Sequence, residues 1–456
     1  MKQIKQSLVL VFLMMVPFIV RAQTTSDDSL KKDVAQIKKD VSALKRIKFS
    51  GYIQPQFQIA DSAGASSVAG GSFAPGMNNR FMIRRGRFKA VYNAAENAKG
   101  ISTSQYALQI DVTERGLTIK EAYAKLTDPW IGFASVTVGM FTNPFGFEVG
   151  YSSASRETPE FGRMSQNLFP NEMEVGAMLT LQAPKKSKWS RYKLDLAMVN
   201  GNNAPGSGAD VSDFDNKKDL VTRLSTEQPL KEGKITFGAG LSYYNGGYRI
   251  DSVDVYKMVN FSSNQQGLVS YDAFYIDADS ASNVAEPISK RGFSNRTYFG
   301  FDARVAYKWK GGTSTLRAEM ITGTQPGLST SSRSHNDKSP ITKDVYEREF
   351  IGGYFYLIHA LPKTPLEFVL KYDFYDPNTS ISGDNIGYTA SALGVKTNST
   401  DLKYTTWGAG INWNYDQNIR LMAYYDMVKN ETSSKLSGWT ADKQDNVFTL
   451  RMQVKF

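Results

Sequence analysis

The sequence predicts an all-β fold, a sixteen-stranded antiparallel transmembrane β-barrel with a short N-terminal coiled-coil helix. Three observations lead there. The last eleven residues, NVFTLRMQVKF, alternate Phe448, Leu450, Met452, Val454 and Phe456 with Thr449, Arg451, Gln453 and Lys455. Successive side chains of a strand point to opposite faces, so this segment has one apolar face and one wet, cationic face. Segments of this kind recur sixteen times along the chain. Aromatics and glycine are abundant, with 24 Tyr, 26 Phe and 37 Gly, yet the mean hydropathy is negative. No apolar run long enough for a membrane helix follows the N-terminus. A barrel with lipid outside and a watery lumen reconciles these facts, because half of each strand faces water.

The N-terminus reads as an export signal over residues 1–22. Lys2 and Lys5 form a basic start, SLVLVFLMMVPFIV an apolar core, and VRA before Gln23 a cleavage site with small Val20 and Ala22. A coiled-coil segment is expected over 23–48. Leu30, Val34, Ile37, Val41 and Leu44 fall at spacings of four, three, four and three, the a/d seam of a coil, with Lys and Asp on the outer positions. A surface-lying amphipathic helix is the competing reading. Two to three heptads are marginal alone, so the coil needs tethering to something already oligomeric.

From Phe49 to Phe456 the period is two. The expected strands are 49–59, 80–92, 105–113, 119–127, 134–141, 173–182, 191–199, 219–226, 234–244, 297–309, 313–321, 348–360, 366–375, 403–415, 418–428 and 446–456. In FGFDARVAYKW, Phe299, Phe301, Ala303, Val305, Tyr307 and Trp309 share one face; in TWGAGINWNY, Trp407, Ala409, Ile411, Trp413 and Tyr415 do. Aromatics at the ends of these faces suit interfacial girdles. Even-numbered strands end in short links such as PKKSKWS, KGG, PKTP and DQN, and odd-numbered ones mostly in long polar loops. The exceptions are a longer link near 93–104 and a short one near 114–118. This rhythm puts both termini on the periplasmic side. Two β-sandwich domains would need a linker and a Greek-key rhythm, and neither occurs.

The chain has 456 residues, 54 Lys and Arg against 44 Asp and Glu, and a formal charge of +10. Removing Lys2, Lys5 and Arg21 with the export signal lowers that by three, to +7, so anions are the expected partners. There is no Cys and the two His, His335 and His359, are far apart, so neither thiol chemistry nor a metal site is expected. No cofactor or nucleic-acid partner is expected either.

Within the second strand, Arg85, Arg87 and Lys89 share a face opposite Phe88, Ala90 and Tyr92. Three cations facing lipid would cost a few kcal/mol each near mid-membrane, so they belong in the lumen. Arg84 falls out of phase, which points to a bulge or an interfacial position. Two roles stay open: an anion path, with guanidinium groups spaced along a pore, or a brace pairing with loop carboxylates such as Glu148 and Glu157.

RRGRFKAVYN (84–93), ALQIDV, KEAYAKL and VGMFTNPFGFEVGYSSASRETPEFGR, in that order, resemble the phosphate-selective porin O and P family of Gram-negative outer membranes. Gly139, Phe141, Pro144, Phe145 and Glu148 match its G-x-F-x-x-P-F-x-x-E run, and the local likeness covers about a quarter of the chain. The resemblance implies a homotrimeric channel of sixteen-stranded protomers. It implies passive anion transport that includes phosphate, and a loop, here about 142–172, folded into the lumen as a constriction. It also implies that Phe456 is the signal read by the barrel assembly machinery. Asp111, beside Gln109 and Thr113, would accept a hydrogen bond from protonated phosphate or pair with Arg85 or Arg87. Thr142 stands where the family often has lysine, which weakens the case for phosphate specificity; Arg156 and Arg163 in the loop are candidates to compensate.

No catalytic residue is expected. His359 lacks a Ser or Asp partner that the sequence can place beside it, and the carboxylates of RETPEFGRMSQNLFPNEME more simply solvate a loop. The alternative to an anion channel is a general diffusion porin, for small hydrophilic solutes or organic anions. A gated transporter would need a plug domain, and only a short coil precedes the first strand.

Overall fold

The computed structural model describes residues 29–202, 213, 215–251, 254–263, 269–276, 292–335, 341–387 and 396–456. The expected export segment, 1–22, lies outside the described residues. Helix α1 (29–44) leads into β1 (Ile47–Ala60), β2 (Asn79–Asn93), β3 (Ser104–Thr113), β4 (Gly116–Thr127) and β5 (Ala134–Thr142). A long connection carrying the short helix α2 (Arg163–Leu168) follows. Next come β6 (Met173–Gln182), β7 (Tyr192–Val199), β8 (Asp219–Leu230), β9 (Ile235–Arg249), β10 (Val255–Ser263), β11 (Val269–Ile276) and β12 (Phe293–Trp309). The chain ends with β13 (Gly312–Leu328), β14 (Val345–Ala360), β15 (Leu366–Asp376), β16 (Tyr404–Asn414), β17 (Ile419–Asn430) and β18 (Val447–Lys455).

Sixteen of these strands close an antiparallel ring, with β9 paired to β12 and β18 returning to β1. The other two, β10 and β11, make a hairpin inside the connection between β9 and β12. They pair with the ring where Val255–Lys257 runs parallel to Val345–Glu347, and Phe274 of β11 packs on Tyr346 and Arg348 of β14. The sequence expectation was a plain loop there. The two segments are short and flanked by polar residues, and their pairing is mainly with each other. At one end of the barrel the connections are short, as at 310–311, 361–365 and 415–418; at the other most are long, as at 61–78, 143–172 and 431–446. Residues 29–44 and Phe456 both lie at the short-connection end.

The alternation reads inside-out relative to a soluble protein. On β18, Thr449, Arg451 and Gln453 are 0%, 4% and 3% exposed, while Leu450 and Met452 are 45% and 40% exposed. Phe299, Phe301, Val305, Tyr307 and Trp309 on β12, and Trp407, Ile411 and Trp413 on β16, likewise face outward. A non-polar outer wall is stable only against lipid, which the apolar band of a membrane barrel meets. Strands β12, β13 and β14, at 17, 17 and 16 residues, exceed the roughly 9–11 residues a tilted strand needs to span a bilayer. They therefore project beyond the band.

The terminal Phe456 completes the ring. Its backbone exchanges hydrogen bonds with Gly51 at 3.2 and 3.0 Å. A Cβ on Gly51 would lie 2.5 Å from the Phe456 ring and 2.7 Å from the Arg87 carbonyl oxygen, so no side chain fits. Gly51→Val is expected to cost about 1–3 kcal/mol through overpacking. Denaturant unfolding in detergent should show an earlier midpoint; an unchanged midpoint would mean the β18–β1 closure tolerates a side chain.

Candidate functional site

The site starts with an irregularity in β2. Gln54 pairs with Arg85 and Pro55 with Ile83, leaving Arg84 as the extra residue of a β-bulge. The bulge turns Arg84 inward beside Arg85, although the two are sequence neighbours. Arg84 Nε lies 2.8 Å and Arg85 Nη2 2.7 Å from the carboxylate of Glu160, in the connection after β5. From β18, Arg451 Nη2 reaches the same carboxylate at 2.9 Å, and its Nη1 donates to the Pro159 carbonyl at 2.6 Å. Burial alone would raise the pKa of Glu160; Arg84, Arg85, Arg451 and Arg156 outweigh it and hold the carboxyl well below its ordinary range.

This contact pins the tip of a loop that crosses the lumen. Gln453 donates to the Ala154 carbonyl (2.9 Å) and Gln54 to the Ser153 carbonyl (3.0 Å). Glu157 makes two 3.1 Å bonds with Arg317 on β13, and Asn412 on β16 donates to its carbonyl. At the loop base, Glu319 accepts from the amides of Phe147 and Glu148 and from the Tyr354 hydroxyl. Phe145, fully buried, packs against Phe169, Tyr244 and Tyr298. A Cβ on Gly300 would lie 2.8 Å from that ring, so the absent side chain makes its seat.

The motif residues of the sequence fall at the start of this loop. Gly139 has φ 124°, and a Cβ there would lie 2.3 Å from the Ala122 carbonyl oxygen. Phe141 is buried, and Pro144 precedes the buried Phe145. Glu148 accepts from the Gly162 amide and the Tyr356 hydroxyl. The expected braces are thereby corrected: neither Glu148 nor Glu157 meets the β2 cations. The loop folds back, so its base lies against β13 and β14 while its tip, Glu160, reaches β2.

On the other side of the loop an opening of about 380 Å³ runs along β1 to β4. Arg87, Lys89, Gln109, Glu121, Thr142 and Glu172 line it, with loop residues 149–154. Arg87 lies 3.3 Å from Asp111 and 3.9 Å from Glu172, and Lys89 pairs with Glu121. Asp111 thus takes Arg87 rather than Arg85, and also accepts from the Gly86 amide at 2.9 Å. Glu172 adopts φ 64°, a left-handed conformation costing about 1–3 kcal/mol in a side chain of this size. A second bulge, between the pairs Gln109–Glu121 and Ile110–Ile119, brings Lys120 within electrostatic range of Glu172, Arg87 and Asp111.

Two loop arginines behave differently. Arg156, 3% exposed, lies with its guanidinium carbon 3.4 Å from the centre of the Phe161 ring, and none of its guanidinium nitrogens has a hydrogen-bond partner among the described residues. Arg163 sits away from β2, 3.9 Å over the Tyr404 ring at the long-loop mouth. The sequence reading missed Lys120, Glu160, Glu172 and Arg451 as site members. Only Arg451 carried a local signal, its place on the polar face of NVFTLRMQVKF. Outside the barrel, His359 Nδ1 is 2.9 Å from Ser314 Oγ, next to Trp309. This pair lies on the outer wall with no carboxylate bonded to the imidazole among the described residues. Nor do three or more metal-ligating side chains cluster among them.

The closed sixteen-strand ring, with a long connection folded inside it, is the fold of an outer-membrane β-barrel. No family model matches the sequence, and no curated protein does. Among solved structures, the chain is similar to OprB of Pseudomonas putida, with a TM-score of 0.56 and 10% identity, covering 91% of this chain and 96% of that one. It also aligns with DcaP, an outer membrane channel of Acinetobacter baumannii, at TM-score 0.49 and 11% identity over 90% and 97% of the two chains. OmpF of Salmonella typhi gives 0.47 and 10% over 90% and 97%. At such identities the likeness is one of fold.

Glu160→Gln should release the loop tip. Removing one partner of a buried ion pair costs about 3–5 kcal/mol, and here three guanidinium groups lose their shared anion. Added trypsin should then cut after Arg156 or Arg163, whereas the parent protein and Glu157→Gln, which disturbs Arg317 and Tyr151 but leaves the β2 cluster intact, resist longer. Equal resistance in Glu160→Gln would mean that other contacts hold the loop.

Proposed function

We propose that this chain is an outer-membrane channel through which small anions, inorganic phosphate among them, diffuse passively. One observation carries the reading: cations outnumber carboxylates along the β2 side of the lumen. Arg84, Arg85 and Arg451 share the single carboxylate of Glu160, and Lys120 and Arg156 add charge with no ion pair of their own among the described residues. Low-dielectric walls focus such a field, raising the local anion concentration and repelling cations. Arg87 and Lys89, which line the opening, meet the passing ion; the Glu160 cluster holds the constriction in place. Binding that is shared among several weak sites allows release as well as capture.

In this reading the long connections face the cell exterior and both termini the periplasm, after removal of 1–22 in export. Phe456 serves as the assembly signal for the barrel machinery. A homotrimer is proposed from α1, whose Leu30, Val34, Ile37, Val41 and Leu44 are all exposed in the single chain. Three copies would bury that seam in a short coil. A second reading, general diffusion of organic anions without phosphate preference, is favoured by Thr142 in place of lysine and by the ion pairs of Arg87 and Lys89.

Bilayer recordings separate these. Replacing Arg87 and Lys89 together by Ser leaves Asp111 and Glu121 without their cations, so selectivity should move toward cations and phosphate should block chloride current less. The shift should shrink near molar salt, where the screening length is about 3 Å. Thr142→Lys should strengthen phosphate block. An unchanged anion preference in the double variant would overturn the assignment of these two residues. Deleting 29–44 should weaken the trimer while the barrel still assembles, seen as a lower oligomer mass in mild detergent. An equally stable trimer would remove the coil's role.

A further inference from the structure

The long-loop end holds another cavity, of about 350 Å³, apart from the opening along β2. Its walls include Ser62 after β1, Arg163 at the start of α2, Tyr404 at the start of β16, and Trp439, Lys443 and Asp445 between β17 and β18. These walls are fixed in place. Ser62 Oγ donates to the Gln444 carbonyl at 2.6 Å, and Asn446 Nδ2 to Asp61 Oδ2 at 2.7 Å, stitching the two connections together. Tyr404 and Trp439 rest on buried Ile381, Ile386, Leu402 and Leu436.

The chemistry of the walls is specific. Arg163 lies 3.9 Å from the centre of the Tyr404 ring and Lys443 4.6 Å from that of Trp439, so each aromatic is paired with a cation. Among the described residues the Nε of Arg163 lacks a hydrogen-bond acceptor. Asp445 is only 5% exposed, and its Oδ1 lacks a donor among the described residues. Leaving such groups unmatched is costly, and a ligand that reaches both supplies the partners they lack. A carboxylate supplies the acceptor, hydroxyls supply the donor, and the C–H face of a sugar ring stacks on an indole. An aromatic acid offers nothing to Asp445. Inorganic phosphate has no ring-sized face, and a neutral sugar leaves both cations unused. The geometry points to a monosaccharide-sized sugar acid, a hexuronate, as the ligand of this cavity. The site's use as a capture point for solute rests on the anion-channel reading; the binding itself does not.

A pH dependence follows. Burial pushes the Asp445 carboxyl up to about 6; Asp442 and Asp61 add to the rise, and Arg163 opposes it. Lys443 and Tyr404 complete its ionisable surroundings. Below that pH Asp445 takes up a proton and stops repelling the ligand's carboxylate. A sugar acid, titrating near 3 to 4 like other such carboxyls, stays charged at about pH 5. Binding therefore tightens as pH falls from about 7.5 to about 5.

The test is calorimetric titration of glucuronate onto the full, detergent-solubilised protein, with glucose, benzoate and phosphate as comparators. Glucuronate should bind tightest of the four, and more tightly at the lower pH. Lys443→Gln and Arg163→Gln should each weaken it about tenfold, the loss expected for one charged hydrogen bond. Lys443 is exposed, so its variant keeps the fold. Glucuronate binding no better than glucose, benzoate or phosphate would overturn the proposal, as would variants that bind unchanged or affinity that falls with pH. Failure here with anion preference intact in bilayers removes this site and leaves the channel reading standing. Binding without anion preference does the reverse.

Discussion

Three guanidinium groups around one carboxylate govern the interior of this barrel. Arg84 and Arg85 come from β2 and Arg451 from β18, so Glu160 ties the two strands beside the β1 seam to the middle of the lumen. Charges buried this deeply are costly unless paired. The loop tip is therefore held where its carboxylate is needed, and from there it divides the lumen. On the β9–β15 side, Phe145, Met164 and Phe169 fill the space against tyrosines of the wall. On the β1–β4 side the polar opening remains. Arg87, Lys89, Glu121 and Glu172 line that opening, while the arginine excess around Glu160 stands behind the loop.

The outer wall obeys the opposite rule. On β12, β16 and β18 the residues in the lipid-facing band are apolar because they have no water to meet, and the charged residues of these strands' membrane span face inward, alongside glycines and the tyrosine on which the loop packs. Charge is thus confined to one face of each strand, and bulges are the only device that brings a second neighbouring residue inward. Two occur within the site, at Arg84 and Lys120. Each adds a cation to a wall already rich in them.

This explains how far the sequence is legible. The ring could be read from NVFTLRMQVKF and FGFDARVAYKW, since a period of two is a local property and lipid enforces it strictly. The break in phase at Arg84 is local as well. Partners within the lumen are not. Glu148 and Glu157 were natural candidates for the β2 cations by count and charge, but loop trajectory decides, and trajectory depends on where Phe145 seats against Gly300, far away in sequence. Lys120 was hidden for a similar reason, because its bulge exists only in the register with β3. The β10–β11 hairpin escaped because its pairing is chiefly internal, within a polar stretch.

The central claim is that the cation-rich wall facing the loop sets the sign of permeation. The zero-current potential of the unmodified protein in a planar bilayer, under a steep potassium chloride gradient, tests it most directly. Chloride preference at low ionic strength that fades as salt rises is the predicted result. A potassium-selective potential, or a preference indifferent to ionic strength, would contradict it.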